Sequence, residues 1–578
     1  MKPREPSRNI DESGGRTQVV GLPDSTTLLR AGSAPAAAVR SGLAPAPGVP
    51  RRACTTTPSP SPDAMSSILN RLTRRKPIAE LLDEEGHPNS LKRELGAGDL
   101  VMLAIGAVIG AGIFSSIGTA AAGEINPDGS VVRYGAGPAL VFSFILLGGV
   151  CGLAALCYAE LASMIPQAGS AYAYSYATLG ELIAWIIGWD LILEYAVGNV
   201  AVAVAWSGYF NSMLSGFGIH LPDWATHGWR AVVKSSDPEV RALLETAPRI
   251  GPFPLLVNIP AFMIVAAITW LLMRGVRESA RANNIMVVVK LAVLALFVVV
   301  GGMNIEMENF TPFAPNGWRG IHQGAAIVFF AYIGFDAIST AAEETKNPQR
   351  NLPIGILGGL AICTLIYVIV GIVATGLVPY QQLKGADPLT QALDVAGLET
   401  AGWIVSVGAV VSLTAVLLVF QYGQPRIFYA MGRDGLLPKW TTKVSTKARV
   451  PYLTTLITGL VVAVGALFAD ENEIYDLTNI GTLSAFAIVC IGVLVLRITD
   501  PHRHRPFRVP FVWPVTLIGA GACVYVMTGL PRHAWERFGI WLGLGLLIYL
   551  VYGYRNSTLH RGGPPVGDPV PGPGNPNS

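Results

Sequence analysis

Residues 104–118 read AIGAVIGAGIFSSIG, an apolar segment interrupted by Gly106, Gly110, Gly112 and Gly118. Together with its neighbours it is long enough to cross the hydrocarbon core of a bilayer, which is about 30 Å thick. A glycine inside a helix costs roughly 0.5–1 kcal/mol relative to alanine, because its backbone loses more conformational freedom. The segment therefore predicts a membrane helix that either packs closely on a neighbour or is unwound near its middle.

The composition places this segment in an all-α polytopic membrane protein. Hydrophobic residues make up 51% of the chain and charged residues 14%, against about a quarter charged in soluble domains. The six cysteines show no paired spacing, so neither disulfides nor a metal site is expected, and no motif indicates a cofactor. Basic residues are not interleaved with aromatic ones, so nucleic acid is not an expected partner.

We expect three regions outside the membrane. Residues 1–63 are rich in Pro, Ala, Ser, Thr and Arg and predict a disordered low-complexity tail. Residues 64–97 predict a cytoplasmic segment before the first span, and residues 555–578 a disordered cytoplasmic tail. The run that begins at Met65 resembles a natural start, so whether residues 1–64 belong to the native protein stays open.

The hydrophobic runs predict twelve transmembrane helices of the length that a bilayer requires. Their limits are 98–121, 136–163, 180–214, 254–273, 284–303, 320–342, 353–378, 402–430, 452–469, 475–497, 510–529 and 535–554. Most basic loop residues fall on the side where the first span begins, and such residues favour the cytoplasm. We therefore expect a multi-pass protein of the cell (plasma or inner) membrane, with both termini cytoplasmic.

A second interrupted span lies at residues 324–344, GAAIVFFAYIGFDAISTAAEE, where Gly334 and Asp336 fall midway along an apolar run. It follows the first by five spans, an odd number, so the two enter the membrane from opposite sides. This arrangement predicts two inverted five-helix repeats, residues 98–303 and 320–497, followed by two extra helices in residues 510–554. Paired interruptions at corresponding positions indicate a substrate site near the bilayer midplane.

The first break predicts a carboxylate site. Unwinding at Gly110 and Gly112 exposes the amide groups of Ala111, Gly112 and Ile113 at the start of a half-helix, whose dipole favours an anion. Ile109 completes the set assigned to substrate binding here. The alternative is that small residues in this span simply allow another helix to approach closely.

The second break, at Gly334, predicts the complementary half of the site. Carbonyl groups freed around Phe330, Ala331 and Ile333 can accept hydrogen bonds from an ammonium group. Asp336 either contacts substrate as well or accepts protons from the unwound backbone; both roles stay open. A site that offers amides to a carboxylate and carbonyls to an ammonium suits an α-amino acid.

The residues around both breaks resemble one family. The runs GWDLILEYAVGNVAVAVAWSGYF (188–210), FFAYIGFDAISTAAEETKNPQRNLPIGI (329–356) and LLVFQYGQPRIFYAMGRDGLLP (417–438) resemble the amino acid–polyamine–organocation (APC) superfamily, in its bacterial cationic amino acid transporter branch. The resemblance implies a LeuT-type fold and secondary active transport by alternating access. Many members have Thr where this chain has Ala111, so a hydroxyl is missing from the expected site.

Lys290 lies about seven residues into the fifth span, where an ionisable group costs about 2.5–3.5 kcal/mol or more. One reading is a lysine whose ammonium reaches the cytoplasmic interface. In proton-coupled relatives, however, a lysine at this position puts its ammonium where sodium-coupled relatives bind an ion, between spans one and eight. The resemblance therefore implies a proton-coupling role, with Ser412 and the carbonyls of Gly106 and Ile109 as partners.

Acidic residues in the spans leave more than one role open. Glu194, one helical turn after Asp190, either pairs with Lys290 or receives the cationic head of a bound arginine or lysine. Glu160, Glu343 and Glu344 lie at the cytoplasmic ends of spans, where either a gate or solvation explains them.

The sequence thus predicts a sodium-independent, proton-coupled symporter for cationic amino acids. A neutral amino acid permease or exchanger, or a transporter-like nutrient receptor, are the alternatives. All eight histidines lie in tails, loops or at span edges, so an enzyme is not expected.

Overall fold

The computed structural model describes residues 74–76, 95–165, 170–274, 280–383, 385–445 and 450–561. These residues all belong to one contact-defined unit, residues 62–578. The predicted N-terminal tail, residues 1–63, and most of the segment that precedes the first span lie outside the described residues.

Helices form most of the described chain. In order they are α1 (Ala97–Val108), α2 (Ile117–Ala122), α3 (Leu140–Met164), α4 (Ser170–Thr178), α5 (Glu181–Ser215), α6 (Trp229–Lys234), α7 (Pro238–Thr246), α8 (Ile259–Met273), α9 (Ala280–Gly302), α10 (Gly317–Val328), α11 (Pro348–Leu377), α12 (Pro388–Val395), α13 (Glu399–Arg433), α14 (Tyr452–Phe468), α15 (Glu471–Thr499), α16 (Val512–Met527), α17 (Arg532–Ile548), α18 (Tyr554–Asn556) and α19 (Thr558–Arg561). Two short antiparallel hairpins join them, β1 (Gly123–Ile125) with β2 (Val131–Tyr134), and β3 (Arg249–Ile250) with β4 (Phe253–Pro254).

Seven helical segments of the described chain are long and apolar enough to cross a membrane. They are Gly137–Met164, Glu181–Ser215, Asn284–Gly302, Pro348–Leu377, Glu399–Arg433, Glu471–Thr499 and Arg532–Asn556. The pair formed by α1 and Gly112–Ala122, bent by 44°, would be an eighth. Three shorter apolar helices, α8, α14 and α16, overlap in sequence with predicted spans four, nine and eleven, respectively. The total of twelve spans stays a prediction.

Two of the predicted boundaries that differ from the structure are explained by side-chain hydrogen bonds. The fourth predicted span was expected from residue 254, but α8 begins at Ile259, because the side chain of Asn258 caps the helix by accepting the amide proton of Ala261 at 3.1 Å. The C-terminal tail was expected from residue 555, whereas the chain continues as α18 and α19. There the Ser557 hydroxyl donates to Glu181 at 2.5 Å, so this end is tied to α5.

Helix packing partners are exchanged between the two halves of the bundle. Helix α3 contacts α11, α5 contacts α13, and α8 contacts α14. Helix α9 contacts α1, α11 and α13, while α15, five spans later, contacts α10, α3 and α5. In span numbers, span five (α9) contacts spans one, seven and eight, and span ten (α15) contacts spans six, two and three. Each contact of span five thus has a counterpart at span ten that differs by five in span number. The two halves therefore use corresponding faces.

Candidate functional site: two interrupted spans

The first interruption separates α1 from the following half-helix. The regular hydrogen bonding of α1 ends at Val108, and Ile109 adopts an extended conformation with φ −74° and ψ 99°. The chain resumes as a π-helical turn, Gly112–Ser116, before α2. We call residues 109–111 the first break. The break lies in the part of the span where the glycine pattern indicated unwinding.

Gly112 permits a very close contact between the two interrupted spans. A Cβ atom added at Gly112 would lie 2.1 Å from the Cα of Ala331 and 2.4 Å from its amide nitrogen. These are backbone atoms, which cannot rotate away as the end of a flexible side chain can. The absence of a side chain at Gly112 therefore allows the second interrupted span to reach the first, beside any contact with substrate.

The second interruption is formed by two 3₁₀ segments, Phe329–Tyr332 and Asp336–Glu344, on either side of a turn. Within the turn, Ile333 is extended with ψ 136°, and Gly334 has φ +112°. A side chain is strained at this φ, and a Cβ at Gly334 would also lie 2.9 Å from the carbonyl oxygen of Ala107. We call residues 333–335 the second break.

One side chain bonds to the backbone of both interrupted spans. The hydroxyl oxygen of Tyr367, in α11, lies 2.9 Å from the Val108 carbonyl oxygen and 2.8 Å from that of Ala331. Its single hydrogen is shared between the two carbonyls, and Tyr367 is fully buried. Sequence reasoning missed this residue, because a tyrosine in an apolar run has no local feature that marks such a contact.

Lys290, which lies in α9, bonds to the backbone at the first break. Its ammonium group donates to the carbonyl oxygens of Gly106 and Ile109, each at 2.8 Å, and the residue is fully buried. The ammonium therefore does not reach the membrane surface, so the interfacial reading is wrong. Two of the three expected partners are observed; the hydroxyl of the third, Ser412, donates to the carbonyl of Gly408 at 2.7 Å.

An acidic cluster lies between α5 and the second break. Asp190, Glu194 and Asp336 are all buried. Glu194 lies close enough to Asp336, and to Asp190 one helical turn earlier, for the carboxyl groups to interact electrostatically. Asp190 accepts a hydrogen bond from the Ser484 hydroxyl at 2.9 Å. The fold thus brings three buried carboxyl groups together beside the second break.

Aromatic side chains surround the second break. Phe335 contacts the rings of Tyr158 and Phe486, with centroids 5.7 Å and 4.9 Å away, and Phe330 lies 4.7 Å from the ring of Tyr475. These rings keep water from the carboxylates, and charge interactions are stronger where water is excluded.

All nine residues predicted to bind substrate are buried where the two breaks meet or in the acidic cluster. They are Ile109, Ala111, Gly112, Ile113, Glu194, Phe330, Ala331, Ile333 and Asp336. Two of the carbonyl groups assigned to an ammonium already have a protein donor: that of Phe330 accepts the Ile333 amide proton at 3.3 Å, and that of Ala331 accepts from Tyr367. Each carbonyl retains a second lone pair.

Ion pairs link several segments of the bundle at the end where α15 begins. Arg133 lies 2.7 Å from Asp476 and 3.0 Å from Glu124, and the Arg133–Asp476 pair is fully buried. Glu473 contacts Arg230, Lys234 and Arg537. On the same side, the Ser115 hydroxyl donates to Glu471 at 3.2 Å, which joins the half-helix after the first break to α15.

A second set of ion pairs links segments at the opposite end of the bundle, where α15 ends. Glu160 is fully buried and accepts two hydrogen bonds from Arg497, at 3.0 and 2.6 Å. Solvation therefore does not explain Glu160. Asp434 accepts hydrogen bonds from Lys76 and Tyr172, at 3.3 and 2.7 Å. Glu344, which was also expected near this end, is only partly buried. The side chain of Glu343 lies outside the described residues.

An apolar helical bundle in which two interrupted spans meet inside the protein defines the class of secondary membrane transporters. A model of the amino acid permease family matches residues 95–551. The methylthioribose transporter of Bacillus subtilis is 44% identical over 85% of this chain and 100% of its own length. The branched-chain amino acid permease of the same organism is 44% identical over 84% of this chain and 99% of its own length.

Less similar relatives are named as transporters of cationic amino acids. The vacuolar cationic amino acid transporter 4 of Arabidopsis thaliana is 37% identical over 75% of this chain and 68% of its own length. The family match covers most of the chain, and two relatives align over nearly their whole length. The chain belongs to the amino acid permease family, a family of transporters within the APC superfamily, and is a multi-pass membrane protein.

Proposed function

We propose that this chain is a sodium-independent, proton-coupled transporter that carries an α-amino acid across the plasma membrane by alternating access. The observation that carries the proposal is the ammonium of Lys290, which donates to the carbonyls of Gly106 and Ile109 inside the first break. Carbonyls freed at an interrupted membrane helix are typical ligands of a coupling cation. Here a covalently attached cation occupies them.

Proton coupling follows from the environment of that ammonium. Burial disfavours the charged form of a lysine, and the two carbonyls favour it. If α1 tilts and the carbonyls of Gly106 and Ile109 move away, the charged form loses its stabilising contacts and the proton leaves. When the break returns, a proton is taken up again. The protonation of Lys290 and the conformation of the first break are therefore linked.

The substrate's α-carboxylate and α-ammonium bind at the two breaks. The amides of Ala111, Gly112 and Ile113 form the positive end of the following half-helix, which favours a carboxylate. The carbonyls of Phe330, Ala331 and Ile333 accept the ammonium. Because Gly112 contacts Ala331 directly, the substrate binds when the two breaks separate slightly, as an opening of either end of the bundle would require.

Cationic amino acids are the substrates that the acidic cluster favours. Glu194 and Asp336 are buried carboxylates whose charges repel each other. A lysine or arginine side chain between them would offset that repulsion and form charge-assisted hydrogen bonds. The matches to cationic amino acid transporters at 34–38% identity agree with this assignment.

A neutral branched-chain substrate is the second candidate. Ile109, Ile113 and Ile333 are buried at the breaks and would contact an aliphatic side chain. The branched-chain permease, at 44% identity, is more similar to this chain than the cationic transporters are. The methylthioribose transporter, also at 44%, adds a third compound for the same assay.

The orientation and repeat structure are part of the proposal. Loop arginines and lysines lie mainly at the end of the bundle where α1 begins, so we infer that this end and both termini face the cytoplasm. The exchange of packing partners between α9 and α15 supports two inverted five-helix repeats of the LeuT type.

Uptake into liposomes that contain the purified full chain tests the function. Radiolabelled arginine, leucine and methylthioribose are offered in potassium buffer, with and without an inward proton gradient, and again with sodium. We expect gradient-driven arginine uptake that sodium does not stimulate. Preferred uptake of leucine supports the second candidate. Binding without accumulation or exchange indicates a receptor, and an absolute need for sodium contradicts the proposal.

A further inference from the structure

A groove of about 650 Å³ opens at the end of the bundle where α1 begins, away from the two breaks. Its walls come from the first turns of α11 and from the loop between α15 and α16. The lining residues are Gln349, Arg350, Pro353, Ile354, Leu357, Gly358, Pro506 and Phe507. Nothing in the proposed transport cycle uses this groove.

The α11 wall runs from the membrane surface into the hydrocarbon region. Gln349 and Gly358 are nine residues apart, which is about 13 Å along a helix. Ile354 is 42% exposed and begins an exposed apolar stripe that continues through Leu365 and Ile372, residues that fall on the same helical face. This face of the span therefore contacts lipid, and the groove is open to an acyl chain.

Arg350 lies one helical turn before Ile354, on the same face and at the end nearest the surface. Its side chain is exposed, as is that of Arg508, which follows the lining residue Phe507. In the part of the chain that the structure describes, neither guanidinium group has a hydrogen bond or an ion pair. One arginine that lines the groove and a second that follows its lining residue Phe507 thus have no ion pair among the described residues.

The opposite wall is held in place by buried contacts. Arg505 donates to the carbonyl of Asp500 at 2.7 Å and to that of Arg503 at 2.9 Å, and its Nε lies 3.2 Å from Glu160. Glu160 also accepts the amide proton of Val509 at 2.7 Å. The loop therefore presents Pro506 and Phe507 in a fixed position before any ligand binds.

The loop also concentrates positive charge. Desolvation, followed by the nearby charge of Arg497, lowers the pKa of Arg505 below its ordinary value, and Arg508 contributes in the same direction. Glu160 and Asp500 offset only part of this charge. An anion near Arg350 and Arg508 would reduce the repulsion that remains.

We propose that this groove binds an anionic phospholipid, with the phosphate between Arg350 and Arg508 and one acyl chain along Ile354, Leu357 and Gly358. An arginine next to a lipid-facing apolar groove matches the two parts of such a molecule. A free phosphate would use the arginines but leave the apolar walls uncovered. A zwitterionic lipid would use the walls but bring a positive group towards the arginines.

Native mass spectrometry of the detergent-purified full chain tests the site. The protein is titrated with phosphatidylglycerol and with phosphatidylcholine of identical acyl chains, and inorganic phosphate is added as a competitor. We expect phosphatidylglycerol to bind about fivefold to tenfold more tightly, since a basic residue near a membrane surface contributes roughly that factor. Inorganic phosphate should not displace it at millimolar concentration.

Two variants and one control assign the binding to the groove. Arg350→Gln should remove most of the preference for phosphatidylglycerol, and Ile354→Trp should weaken both lipids by filling the apolar part. Arg532→Gln removes an arginine that is 91% exposed at the start of α17 and should change neither. Equal binding of the two lipids by the wild type, equal losses in Arg350→Gln and Arg532→Gln, or displacement by inorganic phosphate would each overturn the proposal.

Discussion

The two breaks satisfy their backbone groups in different ways. At the first break, backbone carbonyls at and just before the break accept hydrogen bonds from side chains of other helices. Lys290 donates to Gly106 and Ile109, and Tyr367 donates to Val108. At the second break, the chain turns by its own geometry, through Gly334 at φ +112° between two 3₁₀ segments. The first break thus depends on a group that can lose a proton, whereas the second depends on backbone conformation.

This difference suggests separate tasks for the two breaks. A backbone turn that only glycine adopts readily is a fixed feature, because no change of charge alters its preference. A lysine that bonds two carbonyls is reversible, because deprotonation removes its charge. We therefore expect the first break to move during the cycle while the second provides a constant surface for the substrate. Four variants test this comparison, in order of decreasing expected effect.

The largest effect is expected where the two breaks touch. Gly112→Ala would put a Cβ atom 2.1 Å from the Cα of Ala331, so the breaks must separate. We expect transport to fall below detection and the free energy of unfolding to drop by about 1–3 kcal/mol or more, as in other overpacked cores. Uptake in liposomes and the thermal unfolding midpoint measure both.

Gly98→Ala is the matched control for this variant. Gly98 lies in the first turn of α1, in the same interrupted span, and a Cβ atom there meets nothing within 4 Å. It should transport like the wild type and be no less stable. Wild-type transport by Gly112→Ala would mean that the breaks are not in contact during the cycle.

Removing the ammonium from the first break is expected to have the next largest effect. Lys290→Met leaves the carbonyls of Gly106 and Ile109 without this donor, and each unsatisfied buried group costs about 1–3 kcal/mol. We expect at least a tenfold loss of uptake and no stimulation by an inward proton gradient, while substrate binding persists. Uptake and equilibrium binding are compared in the same preparation.

Lys346→Met removes the same charge from an exposed position just before α11 and should retain the gradient effect. Full gradient-driven accumulation by Lys290→Met would show that the first break is not the proton-linked one. It would also remove the distinction between the two breaks.

The acidic cluster beside the second break is expected to affect selectivity rather than coupling. Glu194→Gln keeps the shape of the side chain and removes its charge, so a cationic substrate loses a charge-assisted contact worth about 1.5–3 kcal/mol. Arginine affinity should fall at least tenfold, leucine affinity should change less than threefold, and proton stimulation should persist. Competition binding measures the first two quantities.

Glu344→Gln, at the end of the second interrupted span, serves as a control and should leave both affinities unchanged. Equal losses for arginine and leucine in Glu194→Gln would indicate a structural carboxylate. Leucine would then be the better candidate for the substrate.

The smallest effect is expected for the hydroxyl that joins the breaks. Tyr367→Phe removes the donor to Val108 and Ala331 and should cost about 1–2 kcal/mol of stability. Since the hydroxyl ties the moving break to the fixed one, we expect a threefold to fivefold change in the maximal uptake rate with little change in substrate affinity.

Tyr332→Phe is the corresponding control. Tyr332 is fully buried, and its hydroxyl donates to the Phe144 carbonyl at 2.8 Å, a contact that does not join the two breaks. Both variants should lose similar stability, but only Tyr367→Phe should alter the rate. Identical rates in the two variants would mean that the bridge is a packing contact alone.

The sequence predicted the features whose energetic cost depends only on the segment that contains them. Glycines inside an apolar run are unfavourable wherever the helix packs, so they indicated interruptions near residues 109–111 and 333–335, and the structure has both. A lysine inside such a run must find oxygen ligands, and the resemblance to proton-coupled relatives indicated the carbonyls near the first break. The assignment of Lys290 to Gly106 and Ile109 follows from that requirement together with the family resemblance.

Other parts of the site depend on contacts between distant segments. Tyr367 is about 260 residues from Val108, and nothing near it in sequence records that its hydroxyl reaches two backbones. Gly112 was expected to offer its amide to a substrate carboxylate, but nothing in the sequence showed that its missing side chain also lets the backbone of Ala331 approach. The groove beside Arg350 likewise forms between α11 and a loop whose conformation is held by contacts of Glu160 and Arg505.

The sequence by itself determined that the chain is an apolar helical bundle with two interruptions and buried charges, because hydropathy, glycine spacing and the cost of a charge in lipid are properties of each segment. Only the tertiary structure decided which backbone atoms the two breaks share, which carbonyls Lys290 and Tyr367 reach, and where a lipid-facing groove remains. These features depend on distances of a few tenths of an ångström between helices, and such distances are set by packing of the whole bundle.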